Sequence, residues 1–171
     1  MKRTCLALAM AVMALSGCTT TGGGHSAAST SPDHPEARLY DPSIDAKGAV
    51  DAALERAAEG NRLVLLAMGA NWCHDSRAFA GWMETPRFQQ LLAEKYELVY
   101  INVGMPQSKD GHNLDIAELF QIRIEGTPTV LVISPDTGLL NPETATSWRN
   151  AASRSEDEIF EELSSFEAPV S

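Results

Sequence analysis

The sequence contains little cysteine, few basic residues and few aromatic residues. Three cysteines, Cys5, Cys18 and Cys73, occur in 171 residues, which excludes a small scaffold held together by several disulfides. Thirteen lysines and arginines stand against 23 aspartates and glutamates, so the formal net charge is −10. A chain this acidic has no electrostatic attraction for polyphosphate, and we therefore expect no nucleic-acid partner.

The apolar run near the N-terminus is too short to cross a bilayer. Residues 6–15 form an unbroken apolar run of ten, whereas a transmembrane helix needs about 20 such residues. The run follows Lys2 and Arg3 and is followed by Ser-Gly-Cys, ending at Cys18. This is the three-part layout of a secretory signal peptide. We expect residues 1–17 to be that signal peptide and the protein to be exported across the inner membrane.

The residues around Cys18 indicate which kind of signal peptide this is. The sequence Leu-Ser-Gly-Cys at residues 15–18 resembles the lipobox of bacterial lipoproteins. The resemblance implies that Cys18 is acylated and becomes the first residue after cleavage; an ordinary signal peptide cleaved nearby is the alternative. Thr19 is not the Asp that retains many lipoproteins in the inner membrane. The resemblance therefore implies an anchor in the outer membrane, with the protein facing the periplasm.

Residues 18–40 are predicted to be the lipid attachment site and a flexible linker. Within residues 19–35, twelve of the 17 residues are Thr, Gly, Ser or Pro, and none is Leu, Ile, Val or aromatic. Such a stretch buries too little apolar surface to offset the entropy lost on ordering it. His25 and His34 are interpreted as solvated side chains, because a metal site needs converging ligands.

The rest of the chain alternates helical and strand patterns, and we interpret residues 41–171 as one folded domain. The predicted helices cover residues 44–58, 73–84, 86–96, 113–121 and 155–166. The predicted strands cover residues 63–68, 98–103 and 129–133, with a weak edge strand at 139–140. Strands separated by helices predict right-handed crossovers and an α/β sheet covered on both faces. The final hairpin is expected to add an antiparallel edge.

The residues with chemical potential concentrate at one turn, residues 68–76, where a buried strand leads into a helix. Cys73 lies at the predicted helix start. There the free backbone N–H groups and the positive end of the helix dipole favour a thiolate over a thiol. Trp72 is expected to form an apolar wall beside it. Cys73 is therefore the candidate nucleophile.

Two motifs resemble the thioredoxin superfamily. Residues 72–76 read Trp-Cys-His-Asp-Ser and resemble the active-site Trp-Cys-x-x-Cys, with Ser76 in place of the second cysteine. Residues 126–129 read Gly-Thr-Pro-Thr and resemble the loop in which the family keeps a cis-proline, here Pro128, beside the active cysteine. In that loop the residue before the proline, here Thr127, offers backbone hydrogen bonds to a substrate strand.

The order of the predicted elements agrees with the superfamily from about residue 43 to residue 167. The resemblance implies a thioredoxin-like three-layer α/β/α sandwich with a central mixed sheet and helices on both faces. Trp72, Thr127 and Pro128 are its implied substrate-binding residues. The helix break at residues 85–86 is most similar to thioredoxin-like domains of the bacterial periplasm.

Two departures from the superfamily pattern bear on the activity. The cysteine that resolves a mixed disulfide is replaced by Ser76, and the buried Asp that often lies six residues before the first cysteine is Ala67. If Cys18 is acylated, Cys73 is the one free thiol of the mature chain. A reversible intramolecular disulfide is then excluded, and monothiol exchange remains.

In monothiol exchange the Cys73 thiolate attacks a disulfide or a glutathionylated cysteine, and a second thiol releases the mixed disulfide. The expected partners are protein or peptide thiols and disulfides, with glutathione as a candidate small thiol. Ser76 is expected to donate a hydrogen bond to the thiolate, and a protonated His74 to stabilise it. The charge of Asp75 works against both.

A non-catalytic binding module is the alternative function. The loss of the second cysteine and of the buried Asp is also compatible with a silent thiol. In that case Trp72, Thr127 and Pro128 would form the groove for an extended peptide. Exchange that depends on Cys73 would favour the enzyme, and peptide capture without it would favour the module.

No cofactor and no metal site are expected. Cys73, His74 and Asp75 carry ligand-type side chains, but consecutive residues at a helix start diverge. His112 would add a ligand only if its loop folded over the turn.

Overall fold

The computed structural model describes residues 34–168. The predicted signal peptide, Cys18 and the predicted linker up to residue 33 lie outside these described residues. Within the described part of the chain, no helix combines the length and the apolar character needed to cross a bilayer.

Five α-helices and six β-strands make up the described part of the chain. In chain order they are α1 (Ala46–Glu59), β1 (Leu63–Gly69), α2 (His74–Met83), α3 (Pro86–Lys95), β2 (Tyr96–Asn102), β3 (Gly104–Met105), β4 (Asp110–Gly111), α4 (Leu114–Glu118), β5 (Thr129–Ser134), β6 (Gly138–Leu139) and α5 (Glu156–Ser165). Two 3₁₀ helices cover Pro106–Ser108 and Ser147–Ser153. Each predicted helix and strand is confirmed with boundaries shifted by a few residues. The β3–β4 hairpin was not predicted.

The main sheet has four strands in the order β2-β1-β5-β6. Strand β1 pairs in parallel with β2, from Leu63 opposite Tyr96 to Gly69 opposite Asn102. It pairs antiparallel with β5, which pairs antiparallel with β6. The mixed sheet is confirmed, but the antiparallel direction begins at β5 and not only at the final hairpin. Strands β1 and β5 are buried along their whole length, so their residue pattern carries no information about direction.

Side chains alternate between two apolar clusters, one on each face of the sheet. Leu65 and Ala67 of β1 belong to the cluster under α2, α3 and α5, which also contains Trp148. Leu66 and Met68 belong to the cluster under α1 and α4. This alternation follows from the period-2 geometry of a strand, and it confirms the predicted layers of helix, sheet and helix.

Residues 34–40 pack onto the domain. Tyr40 is fully buried in the cluster under α2, and the amide of Ala37 donates to the carbonyl of Arg77 at 3.0 Å. A Cβ at Gly81 in α2 would collide with the backbone of Pro35. The packed region therefore begins before residue 41, the boundary that composition alone suggests.

Candidate active site at the start of α2

Cys73 is the N-cap residue of α2, with extended backbone angles of φ −78° and ψ 128°. Its carbonyl accepts the first helical hydrogen bond, from Arg77 N at 3.1 Å. The thiol donates to the carbonyl oxygen of Thr127 at 3.2 Å, and the residue is 8% exposed. The fold therefore brings together the motif at Cys73 and the motif at Thr127, which lie 54 positions apart in the sequence.

The loop facing the thiol is held in one geometry. The peptide bond between Thr127 and Pro128 is cis, as the superfamily resemblance implied. Both residues are buried. The Thr129 hydroxyl donates to the carbonyl of Gly126 at 3.0 Å, which closes the loop just before β5.

Trp72 and the β3–β4 hairpin form an exposed apolar surface next to the turn. Trp72 is 48% exposed, and its indole N–H donates to the carbonyl of Gly104 at 2.8 Å. Met105, the next residue of the hairpin, is 40% exposed. His112 lies against Gly104, where an added Cβ would collide with its ring. The predicted wall thus extends onto a hairpin that the sequence did not reveal.

Ser76 and Tyr40 form the floor of the site. Both residues are fully buried, and Ser76 Oγ accepts a long hydrogen bond of 3.4 Å from the amide of Ala70. A Cβ at Gly69 would lie 2.6 Å from Ser76 Oγ and 2.7 Å from the Tyr40 ring, so only glycine fits there. The two side chains therefore pack against the same point of the strand that leads to Cys73.

The floor is uncharged. Burial raises the pKa of Tyr40 well above its ordinary value of 10.0; Tyr100 and Cys73 raise it further, and the nearby Ser76 hydroxyl lowers it in part. The Tyr40 hydroxyl makes no well-formed hydrogen bond within residues 34–168. Position 67 is alanine and lies in the same cluster as Tyr40. The floor thus offers neutral hydroxyls in place of a buried carboxylate.

The two residues after Cys73 are directed to other partners. His74 Nε2 lies 3.0 Å from Glu36 Oε1, and its ring centroid is 4.9 Å from that of His34. Asp75 Oδ1 accepts from the amide of Ala152 at 2.9 Å, in the 3₁₀ helix Ser147–Ser153. The Asp75 carboxylate thus accepts a hydrogen bond from the backbone of the 3₁₀ helix.

Two arginines brace the turn before Cys73. Arg38 Nη1 donates to the carbonyl of Asn71 at 2.8 Å, and Arg77 Nη1 donates to the carbonyls of Asn71 and Trp72 at 3.3 and 3.0 Å. The Asn71 side chain bonds the backbone of Tyr40 in both directions, at 3.1 and 3.0 Å. These residues were not predicted from the sequence, because isolated polar side chains give no signal of such long-range contacts.

We expect replacement of Glu36 by glutamine to weaken the fold in a pH-dependent way. The hydrogen bond from Arg77 lowers the pKa of Glu36 below its ordinary 4.5, and the charges of Arg77, His74 and His34 act in the same direction. The carboxylate therefore stabilises the fold above pH 4.5, and that contribution is lost as the pH falls through the lowered pKa. Glu36→Gln should reduce the free energy of unfolding at pH 7 by about 1 kcal/mol or less.

Urea denaturation at pH 7 and at pH 3 measures this difference. The deficit should shrink at pH 3, because the wild-type carboxyl is then increasingly protonated as well. Glu118→Gln, an exposed position on α4, is the matched control and should change little at either pH. A Glu36→Gln deficit of equal size at both pH values would contradict the assigned ion pair.

More than half of the chain matches a known protein family. The thioredoxin-like family matches residues 45–135. The chain belongs to this family. The solved structure of a disulphide isomerase from Xylella fastidiosa Temecula1 is similar to it, with a TM-score of 0.65, 28% identity, and coverage of 75% of this chain and 95% of that one. The thioredoxin-like fold thus supports thiol–disulfide chemistry in general.

A mutant of thioredoxin h from poplar is more distant. Its TM-score is 0.45 at 18% identity, and the match covers 77% of this chain and 88% of that one. No curated protein matches the chain in sequence.

Proposed function

We propose that the protein catalyses monothiol thiol–disulfide exchange through Cys73. Cys73 lies at the start of α2, and its Sγ lies 3.2 Å from the carbonyl oxygen of Thr127. This contact is the observation that carries the proposal. It places the thiol beside the loop that holds the cis-proline. The residue one helical turn further on is Ser76, whose hydroxyl cannot resolve a mixed disulfide. The first turn of α2 supplies N–H groups and a dipole that stabilise a thiolate.

The exchange proceeds in two displacements. The Cys73 thiolate attacks one sulfur of a client disulfide, so that a bond from Cys73 to the client forms, the client disulfide breaks, and the second client sulfur leaves as a thiolate. A further thiolate, from the client or from glutathione, then attacks the client sulfur of the mixed disulfide and releases the Cys73 thiolate. When both thiols belong to the client, the sum is an isomerisation without net oxidation.

The surroundings of Cys73 suit an extended peptide. In the free protein the Thr127 carbonyl accepts a hydrogen bond from the Cys73 thiol. Once Cys73 is joined to a client, that carbonyl is free to accept a hydrogen bond from a peptide N–H instead. Trp72 and Met105 expose apolar surface nearby, which favours apolar side chains in the client. Ser76 is proposed to donate to the thiolate from below, and the role of His74 in stabilising it stays a prediction.

We also propose that this chemistry takes place in the periplasm, on a protein anchored to the outer membrane through an acylated Cys18. The Leu-Ser-Gly-Cys sequence at residues 15–18 and the absence of Asp at position 19 support the proposal. The periplasm is a compartment in which protein disulfides persist, so clients for exchange are present there.

The test uses the full chain without a tag, carrying Cys5→Ser and Cys18→Ser so that Cys73 is its only thiol. It is mixed with a client protein whose disulfides are scrambled, in a glutathione buffer containing a metal chelator. We expect recovery of the native client to accelerate, and Cys73→Ala to return the rate to that of glutathione alone. Glu118→Gln is the control for an unrelated surface change and should keep the full rate. Undiminished activity in Cys73→Ala would refute the mechanism, and peptide binding without exchange would favour the binding module.

A further inference from the structure

Three side chains converge beside the turn: His34, Glu36 and His74, of which His74 is also the residue predicted to stabilise the thiolate. One ligand-type atom from each lies within 4.8 Å of the others. His34 and Glu36 come from the segment that precedes α1, and His74 is the first residue of α2. His34 was predicted from the sequence to be a solvated linker residue. This prediction is wrong, because His34 is only 8% exposed.

Each histidine can present a ring nitrogen to a shared centre. His34 Nδ1 lies 3.2 Å from the carbonyl of Pro35, and when this nitrogen carries the proton, Nε2 keeps its lone pair. A backbone carbonyl that orients a ring in this way is the usual support of a metal-binding histidine. His74 turns Nε2 toward Glu36, at 3.0 Å from Oε1.

The carboxylate is supported in the same manner. Glu36 Oε2 accepts from Arg77 Nε at 2.8 Å, which fixes the orientation of the group and leaves Oε1 on the side of His74. Arg77 is in turn held by the carbonyls of Asn71 and Trp72. Glu36 and His34 are therefore each oriented by a contact outside the cluster, whereas His74 contacts Glu36 and His34 themselves.

We propose that His34, Glu36 and His74 form a binding site for a divalent transition-metal ion, for which Zn²⁺ is the probe. Two imidazole nitrogens and one carboxylate oxygen suit zinc, whereas magnesium and calcium require mostly oxygen ligands. Three protein ligands leave a fourth tetrahedral position for water or for a group of a bound molecule. The site goes beyond the proposed exchange activity, which needs no metal.

Binding at this site would join the N-terminal segment to the first turn of α2 through the ion. The unfolded chain does not hold the three ligands together, so zinc should bind the folded state preferentially and raise the midpoint of thermal unfolding. This gives a second readout that does not depend on any activity.

The experiment is a competition between the protein and a chromophoric zinc chelator. It uses the tag-free full chain with Cys5→Ser and Cys18→Ser. We expect one Zn²⁺ per chain, and a loss of affinity on the order of tenfold or more in His34→Asn and in Glu36→Gln. His25→Asn and His112→Asn replace the two remaining histidines and should leave the affinity unchanged. Circular dichroism verifies that each variant is folded.

Cys73→Ala separates this site from the thiol. We expect this variant to bind zinc as tightly as its parent and to show the same rise in unfolding midpoint. Three results would overturn the proposal: no zinc retained against the chelator, equal affinity in the folded His34→Asn and Glu36→Gln variants, or zinc lost with Cys73→Ala but kept with His34→Asn. Because the exchange assay contains a chelator, failure here is distinguishable from failure of the proposed function.

Discussion

Replacement of Ser76 by cysteine should convert the protein from monothiol to dithiol exchange. Ser76 is fully buried in the first turn of α2, three positions after Cys73. A thiol at this position would attack the mixed disulfide between Cys73 and a client from within the same chain. The rate of this intramolecular step should exceed the rate of release by an external thiol by on the order of a hundredfold, because the reacting groups are already held together.

The lifetime of the mixed disulfide measures this change. A client peptide disulfide is added to the chain carrying Cys5→Ser and Cys18→Ser, excess reagent is removed, and the adduct is followed by intact mass. The adduct should persist with Ser76 until an external thiol is added. It should disappear rapidly in Ser76→Cys, leaving a chain lighter by two hydrogen atoms than its reduced form.

Ser76→Ala is the matched control for this experiment. It removes the hydroxyl without adding a thiol, so its adduct should last as long as that of the parent. If the Ser76→Cys adduct also persisted while the new thiol stayed free, the two positions would not have the geometry that the thioredoxin-like fold requires.

Replacement of Cys18 by serine should move the protein from the membrane fraction to the soluble fraction of the cell envelope. Each methylene buried in the bilayer contributes about 0.8 kcal/mol, so two or three acyl chains hold a protein firmly and none leaves it free. On the proposal that Cys18 is acylated, its lipid is expected to account for the membrane association.

Fractionation of cells that produce the full chain tests this expectation, together with the mass of the mature N-terminal peptide. Cys5→Ser lies inside the predicted signal peptide and is the control; it should leave the distribution unchanged. Membrane association of Cys18→Ser at the level of the wild type would rule out the lipid anchor.

The elements of the fold that depend on local pattern were predictable from the sequence. The strand predicted at residues 63–68 and the helix predicted at 155–166, which Ser155 and Glu158 cap, are both observed, since each is determined by neighbouring residues. The direction of β5 was not predictable, because a strand buried on both faces looks the same in either direction. The β3–β4 hairpin was missed, because residues 104–111 show no alternation of apolar and polar positions.

The candidate active site likewise has parts that could be predicted from the sequence and parts that could not. The pairing of Cys73 with the Thr127 loop follows from two recognisable motifs, and the 3.2 Å contact between them agrees with it. The contributions of Tyr40 and of the cluster at His34 depend on a polar segment folding back onto α2. The composition of that segment predicts a linker. Its burial comes from one aromatic ring and from hydrogen bonds to a distant turn, and composition does not show such contacts.

The position of this segment relative to the shared family region has a consequence for related chains. Residues 34–40 precede the matched region, 45–135, yet Tyr40 packs with Ser76 against Gly69, and Arg38 bonds the turn before Cys73. Two relatives with the same matched region but different preceding segments would share the nucleophile and its facing loop, while differing in what packs against the strand that leads to the nucleophile. A change in residues 34–40 can therefore alter the surroundings of the thiol while both active-site motifs stay the same.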